Sequence, residues 1–209
     1  MSYGLQFTNN SDVVTLDSEF ARLVVLQSGR FSGGASFSPA ITSVEPPLVF
    51  VRPDATMTFQ YVTILGSPGA WTGFSYVGGG AGNFFCAAFQ SKAIDSYGLR
   101  LWDGSSTVVF DSGTPCAQFT RTIVDWTYLG SVPTGQGTNQ ASWTAYSPLN
   151  TGDYMLVNNI GMDVLGTATR FAKLYCTWDV ANNRIVPFVI GVNNSTSFFV
   201  PITFAKPIA

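Results

Sequence analysis

Short runs in which Val, Ile, Phe, Tyr, Trp and Thr alternate with polar residues recur along the whole chain, punctuated by Gly, Pro, Asn and Ser. A period of two sends successive side chains to opposite faces, so each run reads as a strand with one apolar face. This reading predicts strands over 3–8, 13–17, 22–26, 48–52, 56–64, 73–77 and 83–89 in the first half. In the second half it predicts them over 97–102, 107–111, 123–128, 154–157, 171–178, 184–190 and 197–204. Helical periodicity is almost absent. The expected fold is therefore all-β, an antiparallel β-sandwich with little or no helix, joined by loops at 28–38, 66–69, 78–82 and 133–140.

One segment occurs twice. Residues 3–18, from Tyr3-Gly4-Leu5 to Asp17-Ser18, align without gaps on residues 97–112, from Tyr97-Gly98-Leu99 to Asp111-Ser112. Each copy has the chemistry of a β-hairpin. Asp103-Gly104 is a strong hairpin-turn signal because both residues tolerate positive φ, and Asn9-Asn10 is a weaker version of it. Asp17 and Asp111, each followed by Ser, are expected to cap turns with their own side chains. A third hairpin is predicted from Lys173–Trp178 through 179–183 to Arg184, with Pro187 marking its return strand as an edge or a bulge. The two repeats suggest an N-terminal β lobe, 1–94, and a C-terminal β lobe, 95–209, or one compact sandwich containing both; the single unit is favoured.

Composition narrows the role. Hydrophobic residues make up 46% of the chain and charged residues only 11%, so Ser, Thr, Asn, Gln and Gly carry the surface. Neutral polar groups cost less to desolvate than Lys and Glu, which points to lasting contacts with other chains. The formal net charge is −2 and the basic residues do not cluster, so the electrostatic footprint of nucleic-acid binding is missing. No basic-then-apolar leader opens the sequence and no apolar run is long enough to span a bilayer, so membrane insertion is not expected and synthesis in a cytosol without a signal peptide is. Cys86, Cys116 and Cys176 have neither paired nor zinc-finger spacing and read as buried free thiols.

Chemistry is sparse. There is no histidine, which removes the commonest general base and the usual nucleophilic triads and metal sites. Gly78–Gly82 is glycine-rich but lacks the Lys-Ser/Thr and the helix of a phosphate loop. Paired carboxylates remain, with Asp95, Asp125, Asp153 and Asp163 as candidates, each more readily a turn residue. No catalytic residue, metal or cofactor is therefore assigned. Among the aromatic residues, Trp71 and Tyr76 flank a glycine loop and Trp102 lies opposite Leu99 and Leu101, so these three are the expected ligand or receptor contacts.

The stretch Tyr97-Gly98-Leu99-Arg100-Leu101-Trp102-Asp103-Gly104 with Val108–Ser112, and its counterpart at the N-terminus, resembles a motif of small tail-tip and tail-fibre proteins of siphophages infecting Gram-negative bacteria. The resemblance covers the two hairpins. It implies a non-enzymatic virion component of the tail tip, partnered by the central fibre and baseplate hub, present as a homo-oligomer, and touching a host glycan or pilus receptor. The alternative is a carbohydrate- or receptor-binding module of a tail fibre.

Overall fold

The computed structural model describes residues 6–8, 10, 14–17, 22–90, 96–135, 139–146, 150, 152–164, 172–192 and 196–208. These residues form strands and turns with no helix among them. In the first half a hairpin of β1 (Gln6–Thr8) and β2 (Val14–Asp17) precedes β3 (Leu23–Ser32), β4 (Gly34–Ile41), β5 (Leu48–Pro53), β6 (Met57–Ser67), β7 (Ala70–Val77) and β8 (Ala81–Phe89). The second half opens with the hairpin β9 (Arg100–Trp102) and β10 (Val108–Asp111). It continues through β11 (Cys116–Ile123), β12 (Thr127–Pro133), β13 (Asn139–Tyr146), β14 (Tyr154–Leu156), β15 (Lys173–Asp179), β16 (Arg184–Val192) and β17 (Ile202–Ile208).

Strands of both halves build two layers. One is a closed antiparallel barrel in the order β11-β17-β14-β5-β8-β3; the other is a sheet in the order β12-β13-β16-β15-β6-β7-β4. Phe59, Trp143, Leu174 and Cys176 of the sheet pack against Val49, Val51, Met155 and Phe204 on the outer face of the barrel, all nearly inaccessible to solvent. A second cluster spans the barrel strands and turns the other way, into its interior. It comprises Leu23, Phe50, Phe85, Ala87 and Ala205, lined by Val25, Leu48, Ala117, Tyr154 and Leu156.

These layers hide a whole-chain duplication. In the first half β8 lies between β3 and β5, and β7 lies between β4 and β6; in the second, β17 lies between β11 and β14, and β16 between β13 and β15. Among the described strands, only β12 has no counterpart. The hairpins agree in register: Gln6↔Asp17, Phe7↔Leu16 and Thr8↔Val14 in one become Arg100↔Asp111, Leu101↔Phe110 and Trp102↔Val108 in the other. The irregularity in each ladder falls at the same place. The displacement that carries Tyr3 onto Tyr97 also carries the β3 bulge between Val25 and Gln27 onto the β11 bulge between Phe119 and Arg121. The bulges face Ala87 and Cys86 in one copy and Ala205 and Phe204 in the other.

Equivalent strands also meet each other. Because Leu48 faces Ala87 and Tyr154 faces Ala205, Leu48 corresponds to Tyr154 and Phe50 to Leu156. Phe50 pairs with Leu156 across the antiparallel β5–β14 contact, the arrangement a local two-fold axis requires. The barrel closes opposite this contact, where β3 meets β11 at Val24↔Cys116 and the Val25 amide donates to Pro115 O at 2.7 Å. In the sheet, β6 meets β15, with Thr58 and Thr177 hydroxyls 2.7 Å apart. A pseudo-dyad thus runs through the barrel seam, the β5–β14 pair and the β6–β15 pair.

The structure corrects several expectations: residues 124–126 of the strand expected over 123–128 link β11 to β12, the strand expected over 197–204 begins only at 202, and β4 and β13 lie in stretches where the pattern predicts no strand. Residues 28–38 are not a loop: they continue β3 and begin β4, because Phe31 and Phe37 are buried at strand positions among the Ser and Gly residues. Pro187 is neither on an edge strand nor at a bulge. It lies in β16 between β13 and β15, and its missing amide falls where the β13 ladder is interrupted between Ser142↔Phe188 and Ala145↔Ile185. Cys86 and Cys176 are buried free thiols, burial pushing Cys86 up to about 12, whereas Cys116 at the seam is half-buried.

Candidate functional site

Two features stand out from the structural core, the repeated hairpin and a polar cleft. In the β9–β10 hairpin the Asp103 carboxylate accepts the Ser105 and Thr107 amides, both at 2.8 Å, while the Asp103 amide donates to Thr107 O at 2.9 Å. The turn is thus closed by an aspartate side chain, and positive φ falls on Ser106 (65°), not on Asp103 or Gly104. At the hairpin's base Asp111 is buried. It accepts the Gly113 amide at 3.0 Å, capping its turn as expected, and also holds Arg100 with an Nη2–Oδ2 distance of 2.6 Å. Arg22 stacks on the Phe110 ring at 4.8 Å, tying the hairpin to the start of β3.

This hairpin projects aromatic surface. Tyr97 is 92% exposed and Trp102 53%, with Leu99 also open. Trp102 therefore presents the ring that the alternation predicts. Trp71 and Tyr76 do not form an exposed platform: the Trp71 indole donates to Ser43 O at 2.9 Å, and the Tyr76 hydroxyl donates to Gly80 O at 2.8 Å while accepting the Gly33 amide. Both rings belong to the core between the layers because β7 turns them inward, Tyr76 beside Phe31 and Phe59. Asn10 is an exposed turn residue, and Asn9 lies outside the described residues.

The cleft, of about 530 Å³, lies at the barrel rim where β5 ends and β14 begins, beside the β15–β16 turn. Its floor is built by register. Arg30 and Arg52 both face Asn83, one from β3 and the other from β5, so the three side chains share one side of the sheet. Arg30 is neutralised by Asp54 through a two-pronged ion pair, with Nη1 2.9 Å from Oδ1. The Arg52 guanidinium and the Asn83 carboxamide have no hydrogen-bond or ion-pair partner among the described residues. Asp153 is buried and accepts the Thr120 hydroxyl at 2.8 Å and the Asn150 amide at 3.1 Å. Thr120 is the extra residue of the β11 bulge, so the bulge aims this hydroxyl.

No family model, curated protein or solved structure matches the chain.

Of the candidate carboxylates, Asp153 lines the cleft together with Asp54. Asp163 is instead paired with Lys173 at 2.8 Å, Asp125 is exposed, and Asp95 lies outside the described residues. The Arg30 guanidinium holds Asp54 below the usual carboxylate range, so it is ionised and unsuited to donate a proton as a general acid. Sequence patterning did not find Arg52, Asn83 or Asp54, because each ends or begins a run whose other members are core residues. Their convergence comes from strand register across distant segments.

Beside the cleft, Asp179 is also held low, first by hydrogen bonding to Asn182 and then to Arg184, whose Nε lies 2.8 Å from its oxygen. A carboxylate whose folded value lies below its unfolded value of about 3.9 stabilises the fold above that pH and loses the contribution as pH falls through the folded value. Thermal melts are therefore expected to drop below about pH 4, and Asp179→Asn is expected to flatten part of that drop. An unchanged acid limb in the variant would remove Asp179 from the account.

Proposed function

We propose that the chain is a non-enzymatic assembly subunit of a bacteriophage tail tip, contacting neighbouring tail proteins and further copies of itself. The observation that carries the reading is the β9–β10 hairpin: a two-stranded ribbon outside both layers, with Tyr97 and Trp102 open to solvent. An isolated two-stranded ribbon is marginal in water, and aromatic rings of this size are the anchors on which protein interfaces concentrate their energy. The charge-poor composition supports the same role, since charged residues are depleted where interfaces are buried. The resemblance of the hairpin motif to siphophage tail-tip proteins supplies the particle.

Tyr97→Ala with Trp102→Ala tests this. Both side chains are exposed, so the free protein is expected to keep its melting temperature within a few degrees. Particles assembled with the variant are expected to lose the chain, as measured by mass spectrometry of purified virions. Full incorporation of the variant would remove the hairpin from the interface.

A further inference from the structure

The pseudo-dyad relates the two ends of the barrel, yet their chemistry differs. The position of Arg52 is taken in the other copy by Asn158, whose side chain is consumed in holding the loop before β5: it donates to Pro47 O at 2.9 Å and accepts the Val49 amide at 2.7 Å. By the same registers Asn83 corresponds to Pro201, Asp153 to Pro47 and Thr120 to Leu26. The opposite rim is accordingly a largely apolar recess, lined by Val44, Pro46, Leu48, Ala88 and Phe89 together with Ser43, Glu45, Gln90 and Asn158. Equivalent backbone thus carries a mostly polar lining at one end and a mostly apolar one at the other. The shared backbone path therefore does not by itself call for Arg52 and Asn83, since Asn158 and Pro201 occupy it in the other copy.

We propose that the Arg52–Asn83–Asp153 rim is a saccharide-binding site. A cleft of about 530 Å³ has the size of a small-ligand pocket. Its groups are mixed: the Arg52 guanidinium only donates, the Asp54 and Asp153 carboxylates only accept, and the Asn83 carboxamide does both. An anion entering the cleft meets Asp54 and Asp153, and a cation meets Arg52. A ring bearing vicinal hydroxyls satisfies all of them, since each hydroxyl donates one bond and accepts others. Among the described residues Arg52 and Asn83 have no hydrogen-bond or ion-pair partner to give up, so a ligand there exchanges with solvent. They sit on paired strands, which limits the ordering cost of binding. Trp178 also lines the cleft and is itself buried. This site is independent of the hairpin contacts proposed above.

The test is a titration of the full chain followed by NMR, reading the Arg52 Nε–H and Asn83 side-chain NH₂ signals. The probes are glucose, galactose, N-acetylglucosamine and glucuronic acid, with inorganic phosphate and choline as charged controls. The expected result is saturable shifts at these groups with at least one sugar, at a dissociation constant in the millimolar range, and no saturable shift with either control. Arg52→Ala and Asn83→Ala are expected to weaken binding about tenfold or more. Arg52→Lys keeps the charge but loses the planar fork and is expected to weaken it as well. The proposal is overturned if no sugar shifts these signals, if phosphate or choline does so, or if both alanine variants bind as the parent does while retaining its melting temperature.

Discussion

Phe50→Ala is expected to destabilise the protein by about 3–5 kcal/mol, the cost of deleting a large ring from a packed interior. Phe50 is fully buried and stacks on Phe85 with ring centroids 4.7 Å apart and planes 13° apart. It also stands where the first half pairs with the second, opposite its own equivalent Leu156. Loosening it therefore weakens the contact that joins the copies as well as the barrel interior. At roughly 2–4 °C per kcal/mol for a chain of this size, the melting temperature is expected to fall by about 6–20 °C. Denaturation by urea should move to a lower midpoint in a single transition with an unchanged slope, since the halves share both layers. Two separated transitions would mean that the halves fold independently.

Gly82→Ala is expected to be comparably severe, at about 3 kcal/mol or more. A Cβ at Gly82 would lie 2.3 Å from Arg52 O, 2.7 Å from Pro53 Cα and 2.8 Å from the Phe31 ring. The first two are backbone atoms of β5, so β8 would have to move away from its neighbour and the cleft floor would open. Gly104→Ala provides the contrast. Its Cβ would meet nothing within 4 Å, and its φ is not in the left-handed region. It is expected to be neutral or stabilising by about 0.4–1 kcal/mol through the unfolded chain. If differential scanning calorimetry ranked these two glycines the other way, the register of β5 on β8 would be wrong.

That contrast shows what the residue pattern could and could not convey. Alternation located most strands, and the antiparallel all-β architecture followed from it. The Asp103-Gly104 pair marks the turn but not its unusual backbone, because the aspartate side chain closes the loop and leaves Ser106 to take positive φ. The Ser- and Gly-rich stretch around Gly33 looked like a loop since its two buried phenylalanines are too far apart in sequence to declare a strand.

The duplication was legible only in the hairpins. Beyond them the copies share register and bulge position while the residues differ, as Leu26 does from Thr120 and Arg52 from Asn158, so direct sequence comparison stops at Ser112. Exposure was legible at Trp102 and not at Trp71 or Tyr76, whose small polar neighbours lie on the opposite face of β7. Of the cleft only Asp153 is legible as a candidate, because Arg30, Arg52, Asn83 and Asp153 meet only through pairing between β3, β8, β5 and β14.

In the proposed role the β9–β10 hairpin, with Tyr97 and Trp102 open to solvent, meets neighbouring chains, and the polar rim is left for a ligand. The measurement that tests the assembly role most directly is cryo-electron microscopy of intact particles. The expected result is this chain at the distal end of the tail in several copies, with Tyr97 and Trp102 buried against an adjoining subunit. Particles that carry the chain with those rings in solvent, or lack it altogether, would contradict it.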